Sequence, residues 1–116
     1  MKITNLDHTS KTKVDMEGAK DAYKQVPISK HDGSSLFSFR VFTIEPKGHT
    51  PYHIHPFEHL NYVISGQGTI VAGNHEEHRI KKGDFALVLS NEEHQYRNES
   101  DNEPLVLICA VHKDYE

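Results

Sequence analysis

Apolar residues in this chain fall in short stretches divided by turn chemistry, the pattern of short strands rather than of amphipathic helices. Leu36 to Ile44, LFSFRVFTI, is a β-branched and aromatic run that predicts a strand ending at Glu45-Pro46-Lys47-Gly48. Leu60 to Ser65 and Thr69 to Ala72 flank Gly66-Gln67-Gly68, which reads as a tight hairpin. Phe85 to Leu89 and Leu105 to Val111 are continuously apolar, which predicts strands buried on both faces. Turns are predicted at His31-Asp32-Gly33-Ser34, Ala72-Gly73-Asn74-His75 and Lys82-Gly83-Asp84, because Gly tolerates positive φ and Asp or Asn can bond to nearby backbone. No segment after residue 30 carries a 3.6-residue period. The pattern predicts an all-β sandwich or barrel of eight or nine short strands.

The first 25 residues fit this pattern poorly. They are polar and mixed, and Val14 to Lys24 reads either as a weak helix or as an edge segment that wraps a partner. The expected division is therefore an N-terminal segment, 1–25, with a possible dimer-forming role, followed by a barrel over 26–116.

Composition narrows the function classes. A chain of 116 residues allows one domain. Thirteen Lys plus Arg stand against seventeen Asp plus Glu, a net charge of −4, and Lys81-Lys82 is the only adjacent basic pair. That argues against a nucleic-acid protein, which needs a concentrated basic face. The opening residues lack the apolar stretch of an export signal, and the longest apolar run, Leu105 to Val111, is far short of the roughly 20 residues that span a bilayer. The expectation is a cytoplasmic protein without a membrane partner. With 35% hydrophobic residues and no Trp, the core must be thin, and a homodimer would bury more surface. Cys109 is the single cysteine, which excludes an internal disulfide framework and a Cys-based zinc cluster.

Histidine is the outlier, with ten copies. The dense stretch is Gly48-His49-Thr50-Pro51-Tyr52-His53-Ile54-His55-Pro56-Phe57-Glu58-His59. On a strand, His53 and His55 would share one face about 7 Å apart, with Tyr52 and Ile54 on the other. Pro56 breaks such a strand, and a turn there could bring His59 back to the same face. His94 is a fourth candidate. Neutral imidazoles converging in this way suit one divalent transition metal: Mn, Fe, Co, Ni, Cu or Zn.

These residues resemble the two motifs of the cupin superfamily of small β-barrels. Its first motif is Gly, five residues, HxH, three or four residues, Glu, six residues, Gly. The chain has Gly48, four residues, His53-x-His55, three residues, His59, six residues, Gly66. The second is Gly, five residues, Pro-x-Gly, two residues, His, three residues, Asn. The chain has Gly83, five residues, Leu89-Ser90-Asn91, two residues, His94, three residues, Asn98. The resemblance spans residues 48 to 98 and implies a double-stranded β-helix, or jelly-roll barrel. It further implies a small single-domain variant in which His53, His55, His59 and His94 ligate the metal, with His59 in place of the usual Glu. Four neutral ligands would leave the ion's charge uncompensated and attract an anionic ligand. Glu58, beside His59, should face away.

Each residue also has a plainer reading. His53 and His55 could be exposed strand histidines, His94 a loop residue at the barrel mouth, and His59 a hydrogen-bonding residue at the rim. Parity places Asn61 and Val63 with His59, and Tyr96 with His94. Arg40 could grip a substrate carboxylate, although an outward position with its stem covering apolar surface is the favoured reading. Cys109 reads as a core residue, Asn98 as a turn-former and His49 as a candidate for the entrance. The remaining histidines read as solvent-facing.

The resemblance suggests a small-molecule enzyme of dioxygenase-like type. A non-redox Lewis-acid isomerase or lyase and a non-catalytic barrel that binds an anionic or apolar ligand are the alternatives. A closed structural zinc site fits less well, because no Cys lies near these histidines.

Overall fold

The structure is a computed structural model and describes all 116 residues. Nine strands form one antiparallel sheet that curls over on itself: β1 (Thr12–Lys13), β2 (Lys20–Ile28), β3 (Phe37–His49), β4 (His59–Ser65), β5 (Gln67–Ala72), β6 (Glu77–Lys81), β7 (Phe85–Val88), β8 (His94–Arg97) and β9 (Leu105–His112). The strand order is β6-β5-β8-β3-β9-β4-β7, with β2 on β3 and β1 on β2. One wall of the barrel runs β2-β3-β9-β4-β7 and the other β6-β5-β8. Strand β3 joins them, pairing with β9 along Phe37–Ile44 and touching β8 only where His49 meets Arg97. All-β jelly-roll architecture is what the sequence predicts.

Four local expectations change. Strand β3 does not stop at Pro46 but runs on to His49, with Lys47 at φ 66° and an irregularity in its pairing with β2. Gly66 is not a hairpin turn: β4 pairs with β7 and β9, while β5 pairs with β6 and β8. It is a corner where the chain crosses between walls, at φ 81°, and a Cβ there would strike the Pro104 carbonyl. Of the two readings for residues 14–24, the edge segment is observed from residue 20 onward. Strand β2 crosses residue 25, pairs antiparallel with β3 and places Ala22 in the core.

The fourth change concerns β7 and β9. The inward residues of β9 (Leu105, Leu107, Cys109 and Val111) are buried, but its outward ones are only half covered. Phe85, Leu87 and Leu89 are exposed, Phe85 at 81%. The apolar core packs the inner faces of the two walls together through Ala22, Ile44, Val63, Ile80, Tyr96, Leu105 and Leu107. It fills one end of the barrel and leaves the other end open beside the histidines.

The predicted turns are present. Gly33, in the left-handed region at φ 92°, ends a short 3-10 turn whose Ser29 and Asp32 cap each other's backbone. Gly83 (φ 96°) turns β6 into β7, and Asn74 (φ 61°) sits in the β5–β6 connection. Residues Leu6–His8 are tied to β2 through Gln25, whose Nε2 donates to the Leu6 and Thr9 carbonyls at 2.9 and 3.0 Å.

Candidate metal centre

The segment from Thr50 to Glu58 is not a paired strand. It is extended chain pinned at three places: Thr50 N–H donates to the Tyr96 carbonyl (2.9 Å), His53 and His94 exchange both backbone bonds (3.1 and 3.0 Å), and Asn91 N–H donates to the His55 carbonyl (2.8 Å). Asn91 takes φ 63°, the left-handed conformation expected of the residue at the family's Gly position. These pins hold His53 and His55 against His94 at the open end of the barrel. The ligand atoms of His53, His55 and His94 lie within 4.8 Å of one another.

His59 starts β4 and is buried beside them. Its Nε2 stands 3.2 Å from that of His94, although His59 lies outside the mutual 4.8 Å group of the other three. The hydrogen bonds assign the tautomers. Asn61 Nδ2 donates to the Ile108 carbonyl (3.3 Å), so Asn61 Oδ1 accepts from His59 Nδ1–H (3.0 Å). The Tyr96 hydroxyl donates to the same oxygen. His94 Nδ1–H donates to the Glu92 carbonyl (2.8 Å), and His55 Nδ1–H to the Phe57 carbonyl (2.9 Å). Each of these three rings therefore presents an Nε2 lone pair. The lone pairs of His59 and His94 face each other with no proton between them, which is unfavourable unless a cation lies there. Two nitrogens each about 2.1 Å from one ion stand roughly 3 Å apart in octahedral or tetrahedral geometry, close to the observed separation. The donor set fits a divalent transition metal.

Burial lowers the His59 pKa to about 3 and the His94 pKa to about 4; neighbouring imidazoles, and Arg40 in the case of His59, add to the effect. His53 and His55 are shifted down too, first by burial. The shifts all favour the neutral form of the rings.

Asn61, Val63 and Tyr96 are buried and inward, as parity predicts. Burial raises the Tyr96 pKa strongly, so its hydroxyl serves as a donor, not a base. Asn98 braces the barrel end, donating to the Ile44 and Glu103 carbonyls and accepting from Ser100 N–H. Glu58 is exposed and outside the cluster. His49 bonds to the neighbouring Thr50 carbonyl and does not line the opening. His8, His31, His75, His78 and His112 are exposed.

Arg40 reverses its favoured reading. It faces Cys109 across the β3–β9 ladder and points inward, lining a cavity of about 560 Å³ with the four histidines. Parity alone did not show this: Ser38, Arg40, Phe42 and Ile44 share one face, but Val41 and Thr43 on the other face are buried too. Phe57 and Tyr115 were missed and carry no sequence signal. Phe57 stacks on His55 (3.9 Å between centroids, 4° between planes) and on Tyr115 (4.0 Å, 12°), roofing the histidines with aromatic rings.

Comparison with known proteins accords with this geometry. Residues 40–111 match the model of the Cupin domain family. L-ectoine synthase of Vibrio campbellii is 33% identical over 92 residues, covering 78% of this chain and 70% of that protein. The corresponding enzyme of Aliivibrio fischeri is 31% identical over 94 residues, covering 79% and 71%. Among solved structures, a polyketide cyclase from Streptomyces resistomycificus superposes with a TM-score of 0.90 at 23% identity, over 97% of this chain and 79% of that one. Ectoine synthase from P. lautus superposes at 0.75 with 21% identity, over 97% and 78%. From the two histidine motifs, the jelly-roll sheet and the match over residues 40–111, the chain belongs to the cupin family.

Proposed function

We propose that this cupin is a metal-dependent enzyme acting on a small anionic molecule, with His53, His55, His59 and His94 as the ligands of one divalent transition metal. The observation that carries the reading is the encounter of the His59 and His94 lone pairs at 3.2 Å, beside His53 and His55 and at the wall of a cavity. When bound, such an ion supplies Lewis acidity toward a carbonyl or carboxylate oxygen and, if redox-active, a route to dioxygen chemistry. Asn61, Glu92 and Phe57 orient the rings through Nδ1. The Phe57–Tyr115 stack and Tyr96 line the same cavity. The relatives above 30% identity are named L-ectoine synthase, which supports non-redox bond formation. The dioxygenase-like reading is second. It is favoured by the hydrogen bonding of the cluster, in which no carboxylate bonds to any of the four rings, and by the engagement of the Glu116 carboxylate with Ser38 and Lys30.

The test is turnover of small carbonyl-bearing acids by metal-loaded protein, with and without dioxygen. Equal turnover in the absence of dioxygen supports Lewis-acid chemistry, and oxygen-dependent consumption supports the second reading. No turnover by a fully loaded protein would leave a ligand-binding barrel.

The same proposal includes a homodimer. Phe39, Leu60, Tyr62, Phe85, Leu87, Ile108 and Ala110 line an open apolar hollow on the outer face of the β3-β9-β4-β7 wall. A face this apolar is uncommon on a monomer, and a second copy of the same face is its simplest symmetric cover. The ends of β2 and the N-terminal residues border it through Ile3, Leu6 and Ile28.

A further inference from the structure

Arg40 is a cation without a counter-ion. No carboxylate lies within ion-pair distance of it, and its Nε is buried with no hydrogen-bond partner. Its other donors meet weak or neutral acceptors: Nη2 reaches Cys109 Sγ at 2.8 Å and Nη1 the Tyr115 carbonyl at 3.3 Å. A second cation, Lys24, lines the same cavity half-buried, its Nζ donating to the Glu116 backbone carbonyl at 3.1 Å. The Glu116 carboxylate lines the same cavity and acts on Lys24, but it accepts from Ser38 Oγ and Lys30 N–H and forms no ion pair with Arg40. A buried donor without a partner is costly, and folding leaves the Arg40 Nε so, on a partly exposed guanidinium that faces a cavity. Arg40 lines the same cavity as His53, His55, His59 and His94, on the wall beside the candidate metal centre.

From this placement we infer that Arg40 is the anchor for a carboxylate of the substrate, assisted by Lys24, and that the reacting end of the molecule lies at the histidines. The inference rests on the metal-centre reading and gives it a substrate class: a small acid with a second oxygen function a few bonds away. A planar guanidinium matches a carboxylate with two parallel hydrogen bonds, whereas Cys109 Sγ and one backbone carbonyl use its donors poorly. Arg40 thereby sets the orientation of the substrate, and Phe42, over which its guanidinium lies at 5.1 Å, holds the stem.

The experiment is calorimetric titration of zinc-loaded protein with succinate, its uncharged diamide and inorganic phosphate, using wild type, Arg40→Met and Arg40→Lys. Arg40→Met keeps the packing of the stem, and zinc stoichiometry is read separately on every variant. The expected result is saturable binding of succinate and not of the diamide, weakened about 10- to 100-fold in Arg40→Met and in part restored in Arg40→Lys, at unchanged zinc content. Equal affinity in wild type and Arg40→Met overturns the anchor and leaves the metal centre standing. Phosphate bound more tightly than succinate overturns the carboxylate class. If zinc does not bind, the metal reading fails on its own, and the Arg40 Nε–H resonance of the metal-free protein decides the anchor: a shift on adding succinate supports it, and no shift overturns it.

Discussion

Strand β4 shows two opposite solutions on its two faces. Inward, it presents His59, Asn61 and Val63, all buried. Outward, it presents Leu60, Tyr62 and Ile64, with Leu60 more than half exposed. Near the barrel mouth the usual order is inverted, with polar groups inside and apolar groups outside. Strand β3 repeats the arrangement, with Ser38 and Arg40 inward and Phe37 and Phe39 exposed. A polar interior is tolerable only where each group has a partner, and Asn61, Tyr96 and the Nδ1 atoms of His55, His59 and His94 do. What lacks a partner inside is the set of Nε2 lone pairs and the Arg40 Nε, and on those rests the proposed ligand site. What lacks cover outside is an apolar sheet, and on that rests the proposed contact with a second copy.

The contrast can be broken from either side. The largest effect is expected from the inner face: His94→Ala or His59→Ala should weaken zinc binding by more than about 100-fold, while Glu58→Ala changes it little. Competition with a chelator measures this, and the reverse ranking would assign the wrong side chain to the barrel. On the outer face, Phe85→Glu with Leu87→Glu should raise the dimer dissociation constant by roughly 100-fold or more, through desolvated like charges across a symmetric contact. Light scattering reads the mass, and zinc content should stay unchanged if the faces are independent.

Two smaller effects sharpen the inner side. Asn61→Leu removes the acceptor that holds His59 Nδ1–H and should cost about 10- to 100-fold in zinc affinity without removing a ligand. Acid should also destabilise the metal-free protein. His59 and His94 titrate near 3 and 4 when folded, against 6.5 in the unfolded chain, so the unfolded chain binds more protons below pH 6.5. The stability conferred by the neutral rings is complete above pH 6.5 and falls toward pH 4. The slope is at most about 1.4 kcal/mol per pH unit for each histidine. Denaturant melts from pH 7.5 to 4.5 measure it, and a flat profile would mean that these rings are not held neutral.

The site was more legible than the path of the chain around it. His53, His55, His59, His94, Asn91 and Asn98 announce themselves by spacing, since each does a local job at a fixed offset from a turn. The Gly66 corner was misread because Gly-Gln-Gly is locally indistinguishable from a hairpin, and only long-range pairing decides which strands it joins. Strand β2 was obscured because Lys20-Asp21-Ala22-Tyr23-Lys24-Gln25 shows no alternation: the strand lies near the edge of the wall, and only Ala22 and Gln25 are fully buried. Phe85 to Leu89 reads as doubly buried because hydrophobicity reports that a face needs cover, not that the same chain provides it.

The most direct test is X-ray absorption on zinc-loaded protein, wild type beside His59→Ala, with metal content measured on the same samples. The account predicts one ion per chain with four imidazole nitrogens in the wild type, and one fewer in the variant. No bound ion, or a ligand shell that His59→Ala leaves unchanged, would contradict the four-histidine centre.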